Sequence, residues 1–107
     1  MIRLALVTEG FEVTIAEDGV KGLEEMDRDG FDLVVLDLQM PRMDGRTLFR
    51  QIRSRGFVLP VLILSAYGAE SARRELKADA ALDKPFDTDV LLESVRSLVS
   101  DRQESTG

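Results

Sequence analysis

Leu33-Val34-Val35-Leu36-Asp37 is an unbroken apolar run that ends in a carboxylate. Consecutive apolar residues without alternation read as a strand covered on both faces, the pattern of a parallel sheet. Ligands of such sheets bind beyond the C-terminal strand ends, which is where Asp37 stands. Pro60 precedes a second run of this kind, Val61-Leu62-Ile63-Leu64, which ends in Ser65. A shorter one, Ala80-Ala81-Leu82, stops at Asp83-Lys84-Pro85.

Helical patterns fill the intervals. Val20, Leu23 and Met26 place an apolar stripe on a short helix that ends before Gly30. Leu48, Phe49 and Ile52 share one face of a helix over residues 47–54, closed by Gly56. Tyr67-Gly68 leads into a helix over residues 69–77. The last helix opens at Asp87 or Thr88, either of which can cap it, and carries Leu91, Leu92, Val95, Leu98 and Val99 as its buried stripe. Upstream, Phe11-Glu12-Val13-Thr14-Ile15-Ala16 alternates apolar and polar residues and reads as an edge strand. Strand and helix therefore alternate along the whole chain, the signature of a doubly wound parallel α/β sheet. Residues 1–99 are expected to form one domain and residues 100–107 a polar tail.

The 107 residues suit a single domain, and 44% hydrophobic content is too high for a disordered chain. Fourteen Lys and Arg against twenty Asp and Glu leave a net charge of −6, so no basic field is available to grip a nucleic-acid backbone. The absence of cysteine and histidine excludes thiol chemistry, disulfides and the commonest general base and metal ligand. Chemistry is left to carboxylates, hydroxyls and lysine. The apolar stretch at residues 2–7 is far shorter than a membrane span of roughly 20 residues and lacks a small-residue cleavage site. A cytoplasmic protein without membrane contact is expected.

Asp37, Ser65 and Lys84 each follow a buried run, and the C-terminal ends of parallel strands share one edge. Taken singly, Asp37 reads as an acid that caps the next turn, Ser65 as a turn-starting hydroxyl and Lys84 as a solvated lysine before a proline. At three matching strand ends, the coincidence outweighs those readings. The trio suits phosphoryl transfer onto a carboxylate: Asp37 attacks, Lys84 neutralises phosphoryl charge, and Ser65 donates to an oxygen.

Asp37-Leu38-Gln39-Met40-Pro41-Arg42-Met43-Asp44-Gly45, residues 60–66, and Lys84-Pro85-Phe86-Asp87 with Leu91-Leu92 resemble the receiver domain of bacterial two-component response regulators over about residues 4–99. The resemblance implies a flavodoxin-like fold, a signalling module and no turnover enzyme. Asp37 would accept a phosphoryl group from a histidine kinase or phosphotransfer protein, and Ser65 would move toward it. Lys84 would contact the phosphoryl, its bond to Pro85 resembles one that is usually cis, and the backbone carbonyl of Gln39 would be a Mg²⁺ ligand beside Asp37.

The chain departs from this family at its start, where receivers carry a strand ending in adjacent acids that hold Mg²⁺. Residues 2–9 instead look like the last two turns of the first helix, with Gly10 as its cap, so the first strand is absent or replaced. Asp37 with one carbonyl is a thin set for an ion that takes octahedral oxygen ligands, and poor Mg²⁺ affinity is expected. Asp18 lies at the same sheet edge but reads as a helix-start residue, and Glu9 falls on the wrong side.

Three ways of completing the sheet are open: closure without the central strand, entry of residues 2–7 as a short strand, or exchange between two chains. An uncovered sheet edge favours a homodimer or other self-association. Ala81 stands where receivers often carry an inward-swinging aromatic, and Tyr67 occupies a different position. Met40 and Met43 read as packing residues. Two alternative functions are a pseudo-receiver that binds partners without phosphorylation and a small aspartate-nucleophile phosphatase. Against the phosphatase, Gln39 stands where a second acid would be required.

Overall fold

A computed structural model describes residues 2–12, 14, 19–28, 30–39 and 45–106. Its elements are α1 (Ile2–Thr8), α2 (Gly19–Arg28), β1 (Val34–Asp37), α3 (Gly45–Ser54), β2 (Val61–Ser65), α4 (Ala69–Leu76), β3 (Ala80–Asp83) and α5 (Thr88–Thr106).

The three buried runs become three parallel strands in the order β1-β2-β3. Every residue of β2 is buried, as a central strand without alternation requires. Its side chains split by parity between two cores. Val61 and Ile63 join Leu23, Met26, Leu48, Phe49, Ile52 and Leu76 from α2, α3 and α4. Leu62 and Leu64 join Leu6 of α1 and Leu91, Leu92 and Val95 of α5. The result is a three-layer α/β/α sandwich, the doubly wound architecture that the alternation implied.

Helix ends follow the expected chemistry. Gly10, at φ 95°, donates to the Val7 carbonyl while Phe11 N–H reaches the Leu6 carbonyl, and Gly56, at φ 90°, closes α3 with the matching pair to Arg53 and Ile52. Both are Schellman caps, in which glycine adopts the left-handed conformation without a Cβ penalty. The backbone carbonyl of Asp87 accepts the N–H of Leu91, the first bond of α5.

Four expectations change. Residues 2–7 are helical, so the option of a strand there is removed. Phe11, Glu12 and Thr14 form no strand, and residues 13, 15 and 16 of the expected edge strand lie outside the described residues. A strand needs a partner backbone roughly 4.8 Å away, whereas a cavity of about 150 Å³ opens between Thr14 and β1. Val20 is exposed and leaves the stripe of α2 to Leu23 and Met26. Residues 100–106, expected as a tail, continue α5, because no Gly or Pro interrupts the helix before Gly107.

Candidate functional site

The register brings the three polar residues to one sheet edge, staggered by one residue from strand to strand. Asp37 ends β1 opposite Leu64, and Ser65 ends β2 opposite Asp83, the residue before Lys84. Lys84 N–H donates to the Ser65 carbonyl at 2.8 Å, which extends the ladder one step past β3 and anchors the lysine at the shared edge. From there its side chain crosses the end of β2, and Nζ lies 2.6 Å from Asp37 Oδ2. The two side chains are 34% and 37% exposed, so the pair is held by the fold yet open to a reactant. The Lys84–Pro85 peptide bond is cis, in line with the resemblance.

Asp37 Oδ1 accepts the backbone N–H of Gln39 at 2.9 Å. The carboxylate thus stabilises its own turn, as the modest reading of a strand-terminal acid has it.

Ser65 is 1% exposed, buried at the end of the central strand. Its hydroxyl donates to the Tyr67 carbonyl at 2.8 Å and accepts Tyr67 N–H at 3.2 Å. Gln39 Nε2 donates to the same oxygen at 3.1 Å, and Ala66 N–H donates to Gln39 Oε1 at 3.0 Å. The expected convergence is therefore complete for Asp37 and Lys84. Ser65 arrives at the same edge with its proton turned into its own loop.

Two residues were given too little weight by the sequence reading. Gln39 bonds Ser65 and Ala66 through its side-chain amide, a role that neither its carbonyl nor its position after Asp37 implies. Gly45 begins α3 against the backbone that follows Asp37, and a Cβ there would lie 2.6 Å from Leu38 Cδ2 and 2.7 Å from Leu38 Cα. A glycine inside the first turn of a helix, where it is among the poorest helix formers, is the signal that could have found it.

The described residues offer few donors for Mg²⁺. Among the described residues no group of three or more acids could hold a metal ion. Asp83 uses Oδ1 to accept the N–H of Ala69, and Glu9 pairs with Arg96 of α5. Asp18 and Asp44 lie outside the described residues. One carboxylate, already bonded on both oxygens, does not make the cage that this ion takes.

The chain matches the family model "Response regulator receiver domain" over residues 1–96. It is 43% identical over 101 residues to the response regulator MprA of Mycobacterium leprae, covering 92% of this chain and 44% of that protein. The MprA of Mycobacterium ulcerans is 42% identical over the same length. The chain thus spans less than half the length of these curated relatives. Among solved structures, the receiver domain of Francisella response regulator 1452 superposes with a TM-score of 0.87 at 31% identity, covering 94% of this chain and 86% of that one. The response regulator TrrA of Thermotoga maritima, solved in complex with Mg²⁺ and beryllofluoride, gives 0.81 at 32% identity over 91% of this chain and 85% of that one. With the family model, the curated relatives and the solved structures in agreement, the chain belongs to the response regulator receiver domain family of two-component signalling.

Proposed function

We propose that Asp37 is the phosphoryl acceptor of this receiver domain. The observation that carries the reading is the contact between Lys84 Nζ and Asp37 Oδ2 at the common strand edge. An Asp37 oxygen attacks the phosphorus of a phosphohistidine on a kinase or phosphotransfer protein. The new O–P bond forms as the N–P bond breaks, and the imidazole keeps the electron pair. Lys84 offsets the charge gathering on the phosphoryl oxygens, and its ammonium is already held beside Asp37 before the reaction. Ser65 donates to one of those oxygens once it gives up the Tyr67 carbonyl.

Receiver domains generally bind Mg²⁺ for phosphorylation. The described donors here support impaired acceptance, and a pseudo-receiver acting without phosphorylation is the second reading, favoured by that thin set. Beryllofluoride, a phosphoryl mimic seen on the Thermotoga relative, separates the two. Added with excess Mg²⁺ while amide spectra are recorded, it is expected to shift resonances around Asp37, Ser65 and Lys84. Unchanged spectra would establish the pseudo-receiver instead. The proposal includes a cytoplasmic setting.

Self-association belongs to the same proposal. Leu33, Val34, Val35 and Leu36 all line the cavity beside β1, together with Met26, Leu48 and Ile52. Successive strand side chains point to opposite faces, so a cavity that meets four residues in a row meets the strand along its edge. An open edge with apolar walls is a template for pairing. Sedimentation at increasing protein concentration is expected to show dimers, and a monomer throughout the range would remove this part of the reading.

A further inference from the structure

The polarity of the hydrogen bonds around Ser65 is fixed by a single group. Ala66 N–H can only donate, so the Gln39 amide must present Oε1 to it, at 3.0 Å. Nε2 then faces Ser65 Oγ at 3.1 Å and donates to it. With Tyr67 N–H as a second donor at 3.2 Å, both lone pairs of the hydroxyl are taken, and its one proton goes to the Tyr67 carbonyl at 2.8 Å. The hydroxyl is at full capacity.

Gln39 meanwhile stays attached to the acceptor, since its own N–H bonds Asp37 Oδ1 at 2.9 Å. One residue thus links the turn after β1 to the loop after β2. We propose that the Gln39 side chain is a clamp that holds the β2–α4 loop in its resting arrangement, and that a phosphoryl group on Asp37 competes with this clamp for Ser65. Gln39 is a positioning residue: it acts on the acceptor site through Ser65 and Ala66. To donate to a phosphoryl oxygen, Ser65 must break from the Tyr67 carbonyl. The loop carrying both partners cannot shift while Oε1 and Nε2 hold it at two successive residues. Tyr67, 87% exposed, would carry that shift to the surface.

The competition rests on the acceptor reading of Asp37, but the clamp does not, and two readouts keep them apart. The first is amide exchange of Ala66 in the unphosphorylated protein. Gln39→Ala is expected to speed it by roughly fivefold, the loss of one ordinary hydrogen bond, and Gln39→Glu, which keeps an acceptor for that N–H, restores slow exchange. Gln39 is exposed, so neither variant threatens the fold. The second readout is the rate at which a small phosphodonor, acetyl phosphate, labels Asp37, expected to rise severalfold in Gln39→Ala.

Unchanged Ala66 exchange in Gln39→Ala would overturn the clamp. Faster exchange without faster labelling would overturn the competition. If neither the parent protein nor the variant is labelled, the acceptor reading fails, and Ala66 exchange still decides the clamp.

Discussion

Asp37→Asn is expected to reduce phosphoryl labelling to background with any donor, a loss of at least about 10³-fold, while leaving the fold intact. The amide keeps the size of the carboxylate and can keep the Gln39 N–H bond, but its oxygen is no anionic nucleophile and no mixed anhydride can form. The effect on stability is small for a separate reason. The Lys84 pair is about a third exposed, so solvent screens it, and such pairs contribute roughly 0.2–1 kcal/mol. The variant should melt within a few degrees of the parent and label not at all. Equal labelling would place the acceptor elsewhere, and a collapse of the melting transition would make Asp37 a structural residue.

Gly45→Ala carries the second large effect, and here two terms oppose each other. Alanine in a helix is favoured over glycine by about 1 kcal/mol. Against that, the new methyl would sit 2.7 Å from Leu38 Cα and 3.2 Å from the Asp37 carbonyl oxygen. Backbone cannot yield as a side-chain tip can, and Leu38 is itself buried in the core. Overpacking of this kind costs roughly 1–3 kcal/mol, and at a backbone contact the upper end applies, so the clash wins. A net loss near 1–2 kcal/mol lowers the melting midpoint of a domain of this size by roughly 4–16 °C. The strain falls on the residue directly after Asp37, so acceptor activity should drop along with stability. An alanine variant as stable as the parent would show that α3 can slide away from Leu38 at little cost.

Asp37, Ser65 and Lys84 were legible because each ends an apolar run, and parallel strands place run ends together without knowledge of loop paths. The caps at Gly10 and Gly56 were legible for a similar reason, since they follow from local backbone needs. The Gln39 clamp was not. Its two bonds reach 26 and 27 residues along the chain, and they depend on how two loops settle against each other, which no periodicity encodes. Gly45 stood in the quoted motif, but its role comes from a close approach that appears only once α3 packs on Leu38. Residues 100–106 read as a tail because they lack an apolar stripe, yet a helix already nucleated propagates through such residues at little cost. A cavity along residues 33–36 belongs to the same class of feature, since periodicity places a strand but not the space beside it.

The site of phosphorylation tests the acceptor role of Asp37 more decisively than its rate. The direct measurement is mass spectrometry of the protein after incubation with acetyl phosphate and excess Mg²⁺, with the label mapped to a peptide and challenged with hydroxylamine. One phosphoryl group on Asp37, released by hydroxylamine as an acyl phosphate must be, is the predicted result. A label that resists hydroxylamine on a serine or threonine, or no label at any Mg²⁺ concentration, would contradict it.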